Sequence, residues 1–189
     1  MCGRTLSLCA NAHTSRQEAQ MDVGLFLVHV VIGSFFLAHG AQHALGFLGG
    51  GGISGTGQYM ESVGLRHGRF AAGVAGGSEL VGGTLLVLGL ATPVAAALLA
   101  ATMLVAARTD HRGKGFWIYA GGAEYVLANA IVVVGLAFNG AGHWSLDNAI
   151  GWDVAGLWWG VGAAAAAVAG AAGALLLLSP RPEAQPEAA

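Results

Sequence analysis

Charge is what this sequence has least of. Only 10% of its 189 residues are charged, while 55% are hydrophobic. A soluble domain usually carries about 25% charged residues, so an ordinary solvated surface is excluded. Eight Lys and Arg stand against ten Asp and Glu, for a net charge of −2. No basic block is present, which gives nucleic-acid binding no support. Cysteine is limited to Cys2 and Cys9. Without a CxxC pair or a Cys-rich pattern, a dithiol redox centre on this chain is not expected. The first twenty residues hold no apolar run long enough for a signal peptide. Leu6-Ser7-Leu8-Cys9 superficially matches a lipoprotein cleavage site, but Leu8 is too large before the cysteine and no apolar segment precedes it. Met21 stands just before the first apolar stretch, so residues 1–22 are expected to be a disordered tail or a start-site artefact. The 32 glycines show no collagen period.

What is present is a series of long apolar stretches, each near the roughly 20 residues that a membrane-spanning helix needs. They cover residues 23–42, 70–90, 92–107, 116–138 and, within a segment 151–178, a last run that is nearly all Ala, Gly, Val and Leu. Ala91-Thr92-Pro93 separates the second from the third, and Pro93 suits the first turn of a new helix, so a tight hairpin is expected there. Arg66, Arg69, Arg108, Arg112, Lys114 and Arg181 all fall at one end of these spans. By the positive-inside rule that end is cytoplasmic. The expected topology is a multi-pass protein of five spans with the N-terminus outside and the C-terminus inside. Trp144, Trp152, Trp158 and Trp159 gather at the opposite end as an interfacial belt. Residues 179–189 read as a disordered cytoplasmic tail.

Inside the spans the clearly ionisable side chains are His29, His39, Glu79 and Glu124. A charged group at bilayer depth costs a few kcal/mol, and such residues usually face a protein interior, a cavity or a reaction. At about 1.5 Å per residue, Glu79 lies roughly 15 Å from Arg69 and Glu124 roughly 12 Å from Phe116, on the same side. His39 approaches that face at the end of the first span, so His39, Glu79 and Glu124 are expected to converge; His29 lies in the other half. Ala75, Gly76, Gly82 and Gly83 flank Glu79, and Ala120, Gly121 and Ala128 flank Glu124. Such small residues let a neighbouring helix approach closely. Gln42 completes the candidate set for ligand binding or proton handling: His39, Gln42, Glu79 and Glu124. His39 and His43 form an H-x-x-x-H pair on one helix face, which binds metal only if a carboxylate joins them. No metal is expected, and this pair is the weaker alternative. Gly50-Gly51-Gly52-Ile53-Ser54-Gly55 matches GxGxxG, but it follows a membrane helix and no Walker lysine follows. A flexible or re-entrant loop is the better reading.

Four segments, taken in order, resemble the DoxX family of small bacterial membrane proteins. They are His39-Gly40-Ala41-Gln42-His43 with Gly46-Phe47-Leu48-Gly49-Gly50; Gly76-Gly77-Ser78-Glu79-Leu80-Val81-Gly82-Gly83 with Leu88-Gly89-Leu90-Ala91-Thr92-Pro93; Gly113-Lys114-Gly115-Phe116-Trp117 with Glu124-Tyr125; and Gly140-Ala141-Gly142-His143-Trp144-Ser145-Leu146-Asp147. The departure is His43, where a lysine is common. The resemblance implies an all-α, polytopic transmembrane helical bundle. Its DoxX-like membrane domain, residues 23–150, is a four-helix core, and the C-terminal fifth helix in 151–178 is added to it. The resemblance also implies a place in the bacterial inner membrane and a tie to redox chemistry. The expected function is that of a membrane subunit of a redox system, binding a quinone or anchoring a soluble oxidoreductase at the cytoplasmic face. The alternatives are a non-catalytic scaffold and a small transporter or proton pathway. The Gly73-x-x-x-Gly77 and Gly156-x-x-x-Gly160 pairs allow helix association, so a homodimer stands among the expected partners beside the lipid bilayer.

Overall fold

The computed structural model describes the backbone of residues 2–179 and the side chains of residues 20–179. Helices are its only regular elements among the described residues: α1 (Cys2–Gly40), α2 (Gly52–Ser62), α3 (Gly68–Leu88), α4 (Thr92–Thr109), α5 (Glu124–Asn139), α6 (Leu146–Ala149) and α7 (Leu157–Leu178). A π-helical turn, Ala41–Leu45, extends α1, and a short 3-10 turn, Ile118–Ala120, precedes α5. Four segments are long and apolar enough to cross a membrane: Gln20–Leu45, Gly68–Leu88, Thr92–Thr109 and Leu157–Leu178. The apolar helix α5 is shorter than the expected span 116–138. Its ends nevertheless reach both ends of the bundle, because Gly121 meets His111 before it and Gly156 donates to the Phe138 carbonyl after it.

Three elements differ from the sequence reading. Helix α1 continues back to Cys2, over the stretch expected to be a tail. The glycine-rich segment expected to be a loop contains the regular helix α2. The stretch 116–123 is mostly irregular and holds the 3-10 turn, so Glu124 opens α5 rather than lying within a span. The expected C-terminal tail falls, apart from Ser179, outside the described residues.

The hairpin between α3 and α4 forms where expected, with Pro93 in the first turn of α4. Ala91 cannot cap that helix with its own side chain. Asp147 does so from α6: its carboxylate accepts from the Ala91 amide at 2.8 Å and the Thr92 amide at 3.4 Å. The Asp147 amide in turn donates to the Gly89 carbonyl at 3.0 Å. A carboxylate satisfies both the unpaired amides and the positive end of the helix dipole. The loop between α5 and α6 is also tied to α1, since His143 donates its backbone N–H to Asp22 at 3.0 Å and sets its ring Nδ1 2.9 Å from the same carboxylate.

Helices α1 and α3 meet backbone to backbone. The buried stripe of α1 is His29, Gly33, Phe36 and Gly40, a spacing of four and three that keeps one helix face. A Cβ on Gly40 would stand 2.8 Å from the Leu80 amide nitrogen, and one on Gly33 2.9 Å from that of Val87. On the other helix, a Cβ on Gly83 would stand 2.9 Å from the Gly33 carbonyl oxygen. These contacts have no room for a methyl group. The main core lies between α3, α4, α5 and α7, around Leu86, Leu99, Val133, Ala137 and Ala167. Helix α7 enters it through Ala163, Ala167 and Gly160, which sits against the Phe138 ring.

Candidate functional site

The close contact of α1 with α3 sets the position of Glu79. Its carboxylate is 1% exposed and stands one turn before Gly83 on the face turned to α1. The π-helical turn widens the end of α1 and brings His43 over it. His43 Nδ1 lies 2.7 Å from Glu79 Oε2. One proton serves this contact: either the imidazole N–H donates to a carboxylate, or a carboxylic acid donates to the imidazole nitrogen. Single π-helical turns recur at functional sites for this reason, since one added residue per turn re-aims a side chain.

The pair forms part of the wall of a cavity of about 270 Å³. Phe35, Phe36, Met103, Val105 and Val126 make much of its surface apolar, and His39, His43 and Glu79 supply polar atoms from one side. His39 is exposed toward it, with its ring centroid 5.7 Å from that of His43. Helix α2 closes the cavity through Thr56, Tyr59 and Met60. It can lie there because Gly57 and Gly68 let α2 and the start of α3 touch; a Cβ on Gly57 would meet the Arg69 amide nitrogen at 2.8 Å. At the mouth the Tyr59 hydroxyl donates to Asp110. Asp110 also lies 3.6 Å from both His111 Nε2 and Lys114 Nζ. The hydrogen bond to Asp110, together with partial burial, pushes the Tyr59 phenol up to about 12. His111 donates its Nδ1–H to the Gly121 carbonyl at 2.6 Å, tying the mouth to the turn before α5.

The expected residues thus separate. His39 and Glu79 reach one cavity. Gln42 turns away from it and donates to the Leu48 carbonyl at 3.2 Å, closing its own turn. Glu124 does not meet them: it sits half-buried in the first turn of α5 and accepts from the Ile118 amide at 3.0 Å. The physical reason is that α5 begins at Glu124, so a depth counted from Phe116 overstates its insertion. His29 keeps to the opposite half of the bundle, where its Nδ1–H donates to the Leu86 carbonyl at 2.9 Å. Among the described residues no three or more His, Cys, Asp and Glu gather as metal ligands would, and Glu79 joins His43 alone of the H-x-x-x-H pair.

Sequence reasoning missed His43 as the partner of Glu79, and Tyr59 and Asp110 at the mouth. Thr56, Tyr59, Met60 and Val63 recur at helical spacing, a signal that the surrounding glycines mask.

Comparison with known proteins adds a family. The DoxX family model matches residues 24–112. "Putative oxidoreductase CatD" of Bacillus subtilis is 32% identical over 126 residues, covering 67% of this chain and 86% of that protein. An uncharacterized protein of Haemophilus influenzae is 34% identical over 131 residues, covering 66% and 88%. A membrane protein of Mycobacterium tuberculosis is 32% identical over 143 residues, covering 70% and 85%. No solved structure matches the chain.

Proposed function

The chain belongs to the DoxX family, and on that premise we propose that it is the membrane subunit of a redox system whose cavity takes a quinone head group at the cytoplasmic face. One observation carries the reading: a carboxyl group that is 1% exposed shares a proton with His43 on the wall of an otherwise largely apolar, ring-sized cavity. Ligand sites typically combine an apolar lining with a few convergent polar groups. A quinone becomes a quinol by taking up two electrons and two protons. The electrons would come from a soluble oxidoreductase docked at the arginine-rich end; the Bacillus subtilis relative, named as an oxidoreductase, supports a redox role for the chain itself. In the cavity, the His43–Glu79 pair hydrogen-bonds a quinone carbonyl oxygen and passes it one proton; the second proton, and the one that recharges the pair, come from water through the cavity mouth beside Tyr59 and Asp110. His39 stands beside the same space as a second polar group. The basic end faces the cytoplasm of a bacterial cell, by the positive-inside rule.

Equilibrium binding of menadione, a naphthoquinone without a tail, to the protein in nanodiscs tests this. Glu79→Gln keeps the shape of the side chain and removes its acid–base chemistry. The dissociation constant is expected to rise about tenfold or more, the scale of one lost hydrogen bond to a charged group. An unchanged dissociation constant rules out the head-group role.

A second reading has its own observation. The His43–Glu79 bond joins α1 to α3 across their closest contact, as a scaffold residue would. On that reading Glu79→Gln lowers the thermal midpoint and the protein binds no quinone.

A further inference from the structure

A second, largely apolar space adjoins the cavity. It is a groove where α7 crosses the α3–α4 hairpin, about 360 Å³ in volume. Ala97 and Ala101 of α4 line it with Ala166, Gly170 and Ala174 of α7. No charged side chain borders it, and its only hydroxyls are those of Ser78 and Thr102. The Thr102 hydroxyl is already spent on the Leu98 carbonyl at 3.1 Å. The lining holds no charged group that would anchor a polar ligand.

Met60, Leu65, Ala75, Thr102 and Val105 border both spaces. The two spaces therefore share part of their walls. Met60 is unbranched and adaptable, and Ala75 offers a single methyl group. The groove runs along α7 from Ala166 to Leu178, about 18 Å at the helical rise. Gly170 and Ala166 are exposed, so the groove opens along the side of the bundle, where the membrane's hydrocarbon lies. Ser78 on its rim is the chain neighbour of Glu79, which puts groove and proton pair at one depth.

We infer that the groove holds the isoprenoid tail of the ligand whose head group occupies the cavity, so that the quinone is a long-tailed membrane quinone entering from the bilayer. This rests on the head-group reading and adds the class of ligand to it. The apolar lining matches a hydrocarbon chain, and the adaptable Met60 side chain stands in the wall shared by the two spaces, where its movement would open the passage that joins chain to head. The small residues on α4 and α7 leave the width that a branched chain needs.

The test separates tail from head. Gly170→Leu and, independently, Ala174→Leu fill the groove from α7 without touching the cavity. Gly170→Ala is the control, because a Cβ there would make only an ordinary 3.5 Å contact with Ala101. Two quantities are measured on full-length protein: long-chain quinone carried through gentle detergent purification, by mass spectrometry, and menadione affinity in nanodiscs. Both leucine variants are expected to lose at least about tenfold of the long-chain quinone load while menadione affinity stays within about twofold of wild type, which also shows that they fold. Gly170→Ala is expected to keep both. A full long-chain load in both leucine variants overturns the tail site and leaves the head-group reading standing. A wild-type protein that carries no quinone and binds no menadione overturns both.

Discussion

His43 and Glu79 are each understandable only through the other. A buried carboxyl group without a partner costs about 1–3 kcal/mol in desolvation, and Glu79 has no hydrogen bond in the described structure other than that to His43. His43→Ala is therefore expected to lower stability by about that amount, read as a drop in thermal midpoint in detergent. His43→Gln keeps a donor and should recover much of the loss. At the cavity mouth the prediction concerns pH. The Tyr59 phenol lies at about 12 against an ordinary 10.0, chiefly because it donates to Asp110 and secondarily because it is partly buried. A raised value means that the folded chain holds the proton more tightly. The stabilisation is whole below the ordinary value and is lost as pH climbs through the raised one. Ultraviolet titration of the phenolate band should show one late-titrating tyrosine, absent in Tyr59→Phe and brought back toward 10 in Asp110→Asn. The sequence exposed Glu79 as costly at its depth. It could not pair Glu79 with His43, because a π-helical turn and not a regular helix sets the direction of that ring.

Glycine does two opposite things in these helices, and only packing tells them apart. In α1, Gly40 is where α3 passes: a methyl there would lie 2.8 Å from the Leu80 amide nitrogen and 2.9 Å from the Gly76 carbonyl oxygen. In α2, Gly55 has open space where a Cβ would go. Gly40→Ala is expected to push α1 and α3 apart and lower the thermal midpoint. Gly55→Ala is expected to raise stability by about 0.5–1 kcal/mol, by reducing the freedom of the unfolded chain. Thermal unfolding of the two variants side by side checks both signs. Small residues around Glu79 correctly announced a close helix neighbour, because a stripe of Ala and Gly has few other uses in a membrane. Helix α2 was illegible for the reverse reason. Its glycines lower helix propensity, and what holds it is contact with α3 through Gly57 and Gly68, which no local signal records.

At the scale of the whole molecule, the helices alternate in direction between two unlike ends. Arg66, Arg69, Arg112 and Lys114 mark one end, where the Arg66 amide donates to the Leu178 carbonyl. Asp147 and the α3–α4 turn mark the other. Cysteine labelling in a background with Cys2 and Cys9 replaced by serine checks the orientation. Asp153→Cys is expected to react with a membrane-impermeant maleimide on intact cells, and Lys114→Cys only after permeabilisation; the reverse pattern inverts the topology. The all-helical class, the membrane setting, the α3–α4 hairpin and the cost of Glu79 followed from the sequence by itself. Each is a matter of summed hydropathy, proline geometry or desolvation, quantities that belong to a residue and its near neighbours. The tertiary structure alone decided that His43 meets Glu79, that Glu124 stays at the start of α5, and that α2 roofs a cavity beside a groove under α7. Those outcomes depend on which helix faces touch, and distant residues set them together.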